Sequence, residues 1–72
     1  MNKNDFMKIN RTKEFINTLA NMGYQETVKN GSSHRIFKKS GCPVLSVPND
    51  KILSTGTKRM LTKLILGDKY YE

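Results

Sequence analysis

The stretch "SHRIFKKSGCPVLSVP", residues 33–48, reads as two β-strands joined by a turn, and that reading decides the fold. In "SHRIFKK" side chains alternate so that Ser33, Arg35, Phe37 and Lys39 point one way, while His34, Ile36 and Lys38 point the other. "SGCP" supplies the turn, and "PVLSVP" is a short strand bounded by Pro43 and Pro48, neither of which can donate to a central ladder. If Phe37 enters a core, His34 must lie on the opposite face of the same strand.

Before this pair stands "YQETVK", whose Tyr24, Thr27 and Val28 suit a pleated strand, with a turn at Gly31 leading into the next one. Further upstream, "RTKEFINTLANMGY" gathers Phe15, Ile16, Leu19, Ala20 and Met22 largely on one helical face. Thr12 or its rival Asn10 is the expected N-cap, Glu14 suits the first turn, and Gly23 is set to end the helix in the left-handed conformation. Downstream of the loop "NDKILSTG", the segment "TKRMLTKLILG" is expected to bury Met60, Leu61, Leu64 and Ile65 and to turn Arg59, Thr62 and Lys63 outward. The tail "DKYYE" reads as frayed.

The resulting order is helix, three strands, helix. Short connections make the sheet an antiparallel meander, and two amphipathic helices are most economically housed on one of its faces. The fold class is therefore α+β, with the second sheet face open to solvent or to a ligand. A chain of 72 residues supports one domain, spanning 1–72, with no repeat or linker.

Thirteen Lys and Arg against six Asp and Glu give a formal net charge of +7. A surface that positive points to an anionic partner, whether nucleic acid or an acidic protein, although it also suits a merely solubilising surface. Anionic lipid fits less well, because the cations are not confined to one long amphipathic helix. No segment has the length and apolarity of a membrane span, the first ten residues lack the apolar run of a signal peptide, and a single cysteine excludes an internal disulfide. A reducing cytoplasm is the expected setting.

His34 is the one histidine. An imidazole, with an ordinary pKa near ~6.5, can exchange protons near neutrality and so serve as acid or base on an RNA 2′-hydroxyl or a leaving 5′-oxygen; the alternative is an ordinary surface residue. Lys38 and Lys39 are candidates for phosphate contacts, and so is Lys58 within "STGTK", where Ser54 or Thr55 can cap the last helix. Cys42 reads as structural or incidental, and nothing supports a metal site or a cofactor.

Taken together, "KEFINTLANMGY", "SSHRIF", "VLSVPN" and "STGTKRMLTKLI" resemble the HicA family of small toxin ribonucleases over about residues 9–67. The most specific element is a Gly-Ser-His triplet opening the second strand, followed after two residues by an aromatic, matching Ser33, His34 and Phe37; a later Gly-Thr matches Gly56 and Thr57. Ser32 stands where the triplet has glycine, and Pro48-Asn49-Asp50 stands where many relatives carry a second histidine. The resemblance implies a fold similar to a double-stranded-RNA-binding domain and a metal-independent endoribonuclease acting on messenger RNA. It further implies that His34 is the catalytic residue, with Ser33 orienting the imidazole or a phosphate, and that the partner is a HicB-like antitoxin covering the histidine. With one histidine, His34 has to work with a lysine, a hydroxyl or water, or act as base and acid in turn. A non-catalytic double-stranded-RNA-binding module and a pure protein-interaction domain are the competing expectations.

Overall fold

The computed structural model describes residues 2–27 and 34–71. Three α-helices, three strands and a 3₁₀ segment follow one another as α1 (Lys3–Met7), α2 (Thr12–Asn21), β1 (Gln25–Thr27), β2 (His34–Lys38), β3 (Leu45–Pro48), α3 (Thr55–Leu66) and the 3₁₀ turn Gly67–Tyr71. The strands form one antiparallel sheet in the order β1-β2-β3, with Glu26 opposite Phe37 and Phe37 opposite Leu45. This is the expected α-β-β-β-α order, preceded by one further short helix. Val28, Lys29, the turn at Gly31 and Ser33 lie outside the described residues.

Alternation along β2 and β3 divides the sheet as the sequence implies. Phe37, Leu45 and Val47 point to one face and are buried there with Phe15 and Leu19 of α2, Leu61 of α3, and Phe6, Tyr24 and Leu53. His34, Ile36 and Lys38 point to the other face, where His34 and Lys38 are exposed and Ile36 is half-buried. Both long helices thus serve one side of the sheet.

α2 ends as expected, with Gly23 at φ 97°, a left-handed conformation that costs a residue without Cβ little. Its beginning differs. Thr12 is the first helical residue and is buried; Arg11 occupies the N-cap and makes no side-chain capping bond. The Asn10 side chain is taken by Lys58 Nζ, and the backbone on either side of Arg11 is committed to another segment: Leu53 N donates to Asn10 O and Thr12 N to Lys51 O, both at 2.9 Å, forming an antiparallel bridge centred on Arg11 and Ile52. That bridge fixes the start of α2 against the loop after β3.

In α3 the cap is Ser54, whose hydroxyl accepts from Thr57 N at 3.2 Å, as the sequence suggests. The buried stripe is rotated from the expected one. Leu61 and Thr62 are fully buried, Lys58 is 5% exposed and Ile65 is half-buried, an i, i+3, i+4, i+7 set, whereas Met60 and Leu64 are 51% and 38% exposed. Thr62 can face inward because its hydroxyl donates to Lys58 O at 2.6 Å, satisfying itself within the helix.

At the two ends the structure adds one element that the sequence reading lacks and corrects one expectation. "NKNDFM" carries a capping box: Asp5 N donates to Asn2 Oδ1 at 3.0 Å and Asn2 N to Asp5 Oδ2 at 3.1 Å. The short helix so started packs on α3 and delivers Phe6, fully buried, against Phe15 with ring centroids 5.9 Å apart. The tail does not fray at Tyr70, which is buried in the 3₁₀ turn with the ammonium groups of Lys3 and Lys63 at 5.1 and 5.4 Å from its ring centroid.

Candidate active site

His34 is the first residue of β2 and stands opposite Pro48, the last of β3. On the same face follow Ile36, opposite Ser46 and Thr27, and then Lys38, opposite Gln25. The helix-free face thus presents an exposed imidazole at one end and an exposed ammonium at the other. At about 3.3 Å per residue, the four steps between them span roughly 13 Å, so the two cannot hold one phosphate. Lys38 is placed for a more distant point on an extended ligand.

The remaining sequence-derived candidates are not gathered around His34. Lys39 follows the strand and its ammonium lies 5.6 Å from the centroid of the Tyr24 ring, at the Lys38 end. Lys58 is turned inward: its Nζ donates to Met7 O at 3.0 Å and to Asn10 Oδ1 at 2.9 Å, so its charge ties α1 and the start of α2 to α3. A buried ammonium spent on two internal acceptors is not a phosphate contact, and the expectation for Lys58 is corrected accordingly. Ser33 falls outside the described residues.

Arg35 lies on the helix-bearing face, as alternation requires, with its guanidinium 5.8 Å from the Phe37 ring centroid and paired with the Glu26 carboxylate across the strands. That hydrogen-bonded pairing lowers the Glu26 pKa and raises that of Arg35. Because the Glu26 value is lowered on folding, the pair contributes at neutral pH, and its contribution is lost as the pH falls through that lowered value. Around the β2–β3 turn, burial first, and then the neighbouring Cys42, push the Tyr24 phenol upward. Cys42 itself is exposed and unbridged.

A set of cations that no local motif announces lies at the His34 end of the sheet. Arg11 and Lys13 from the start of α2 and Lys51 from the loop after β3 surround a groove of about 750 Å³, which Thr12, Ile16, Asn49, Asp50, Ile52 and Arg35 also line. Arg11 and Lys51 are 40 residues apart in sequence, and only the bridge between residues 10–12 and 51–53 makes them neighbours. Among the described residues, no group of three or more His, Cys, Asp and Glu side chains could hold a metal ion, and no helix is long and apolar enough to cross a membrane.

The fold and this surface define a small, strongly basic α+β domain, with helices on one side of a three-stranded meander and an exposed histidine on the other. The sequence profile described as the HicA toxin of bacterial toxin–antitoxin matches residues 12–65, 54 of the 72 residues, and the chain belongs to that family of toxins. Comparisons with curated proteins and with solved structures give no match.

Proposed function

We propose that this toxin is a metal-independent endoribonuclease that cuts messenger RNA, with His34 as its catalytic residue, and that a HicB-like antitoxin silences it by covering the helix-free sheet face. The observation that carries the reading is the exposure of His34 at the end of that face, where an extended strand of RNA can lie across β2 and β3 without meeting a helix. The chemistry needs one group that exchanges protons. The neutral imidazole takes the proton of a 2′-hydroxyl, the 2′-oxygen attacks the adjacent phosphorus, and the P–O5′ bond breaks. The resulting imidazolium, or water, returns a proton to the departing 5′-oxygen. Products are then a 2′,3′-cyclic phosphate and a 5′-hydroxyl, and no atom is left unbalanced.

Lys38 and Lys39 fit this scheme as contacts to phosphates away from the cut, positioning the strand without reading its sequence. The antitoxin, to match a surface of this charge, presents acidic groups to it.

The test compares wild type with His34→Ala on a long single-stranded RNA in the presence of a chelator, following cleavage and binding together. The expected result is cleavage by wild type alone, reduced at least 100-fold by the substitution, in line with about 10²–10⁴ for a general acid–base group. Binding should be retained by both proteins. Equal binding with no cleavage by either would make the domain a recognition module, and cleavage by both would remove His34 from the chemistry.

A further inference from the structure

The groove between the start of α2 and the loop after β3 has the composition of an anion site. Arg11, Lys13 and Lys51 are all exposed there, and none has an ion-pair partner among the described residues. Asp50 is the one carboxylate in the lining, and the fourth cation, Arg35, is held by Glu26. Three unpaired positive charges around one depression repel each other, which an anion in the groove would reverse.

Two independent features lie within it. The first is the uncapped N-terminus of α2: Arg11 offers no side-chain acceptor, so the first-turn N–H groups of Lys13 and Glu14 have none within the helix. Asn2 and Ser54 fill that role for α1 and α3. The second is Thr12, which lines the groove at 5% exposure and whose Oγ1 is buried with no hydrogen-bond partner. Buried hydroxyls are ordinarily paired, and an acceptor arriving at this helix end would pair it.

We infer that this groove is a second phosphate subsite, taking a phosphodiester of the same RNA strand whose neighbouring linkage is presented to His34. The inference rests on the ribonuclease reading above. The path is short: His34 pairs with Pro48, Asn49 and Asp50 follow directly into the groove wall, and Arg35 of the wall is the next residue after His34. A strand rounding this end of the sheet therefore meets the imidazole on one face and the cationic groove on the other. Ile52, 58% exposed, gives the sugar or base attached to that phosphate an apolar surface. Arg11 and Lys13 are positioning residues in this scheme and do not touch the reacting atoms.

A twelve-nucleotide 2′-O-methyl RNA, whose attacking hydroxyl is blocked, probes binding without cleavage. Its affinity is measured by fluorescence anisotropy over a series of salt concentrations for wild type, Arg11→Gln/Lys13→Gln and, separately, Lys51→Gln; unfolding curves check that each variant is folded. The expected result is at least a tenfold loss of affinity for the double variant, with the slope of log K against log salt shallower by about 0.7, one single-strand phosphate's worth. Thr12→Val weakens binding in the same direction, and in wild type the amide signals of Lys13 and Glu14 move on titration with the RNA. A wild type that binds while the double variant keeps both affinity and slope would overturn the subsite and leave the ribonuclease reading standing. A wild type that does not bind at low salt would overturn both. Retention of RNA binding with loss of binding to an acidic protein would assign the groove to a protein partner and overturn the inference.

Discussion

At the scale of single residues, Lys58 and His34 show opposite outcomes of one kind of reading. Both are polar residues in segments that sequence patterning flags as functional, and alternation along a strand suffices to set His34 on the open face once Phe37 is assigned to the core. No such rule exists for a lysine on a helix, where a four-carbon stem can run along apolar surface and deliver its charge either to water or to internal acceptors. Here the acceptors are Met7 O and Asn10 Oδ1, distant in sequence and so invisible from it. Lys58→Met keeps the stem and removes the charge, leaving two acceptors unpaired, and is expected to lower stability by about 2–4 kcal/mol. Chemical denaturation checks the loss, and the salt dependence of RNA binding by the folded fraction should be unchanged. A shallower salt slope would return Lys58 to the phosphate contacts.

Among the elements, α3 decides which apolar residues belong to the core. The sequence offers two overlapping stripes, and hydropathy favours Met60 and Leu64 over Lys58 and Thr62. The structure uses the second stripe because both of its polar members are satisfied locally, Thr62 by the carbonyl of Lys58 and Lys58 by the α1–α2 connection. Leu61→Ala, at a fully buried position, should cost about 2–5 kcal/mol, and Leu64→Ala on the outer face less than about 1 kcal/mol. Paired thermal or urea unfolding of the two variants separates the stripes, and equal losses would contradict this rotation of the helix. The exposed Met60 and Leu64 sit beside Arg59 and Lys63 on a shallow depression that also includes Gly56. Legibility follows the same physics elsewhere: period-two alternation marks β2, the bounding Pro43 and Pro48 mark β3, and Gly23 stops α2 where expected. The five-residue α1 was missed because its one buried apolar side chain, Phe6, gives no periodicity to read. Its capping box, Asn2 with Asp5, was a local signal that could have found it.

Over the whole molecule, net charge and topology carry different information. The meander and its one-sided helices followed from element order and short connections, whereas the cationic groove depends on a bridge between residues 10–12 and 51–53 that neither segment announces. With +7 on so small a body, association with an antitoxin of the acidic kind proposed above should be steered by charge. Stopped-flow association rates are expected to fall at least tenfold between about 20 and 300 mM salt, as the Debye length shrinks from about 20 Å to below 8 Å, with dissociation changing less. Rates independent of salt would mean that the charge serves another purpose. The fastening of α1 to α3 also sets an order of events during protein synthesis. The lysine that holds α1 is made 51 positions after Met7, and so α1 is translated well before the helix it docks on. Until α3 has emerged, the nascent chain has neither the anchor for α1 nor the Leu61 that closes the core beneath the sheet. For a toxin of this family, the complete fold is therefore available only once α3 has been made.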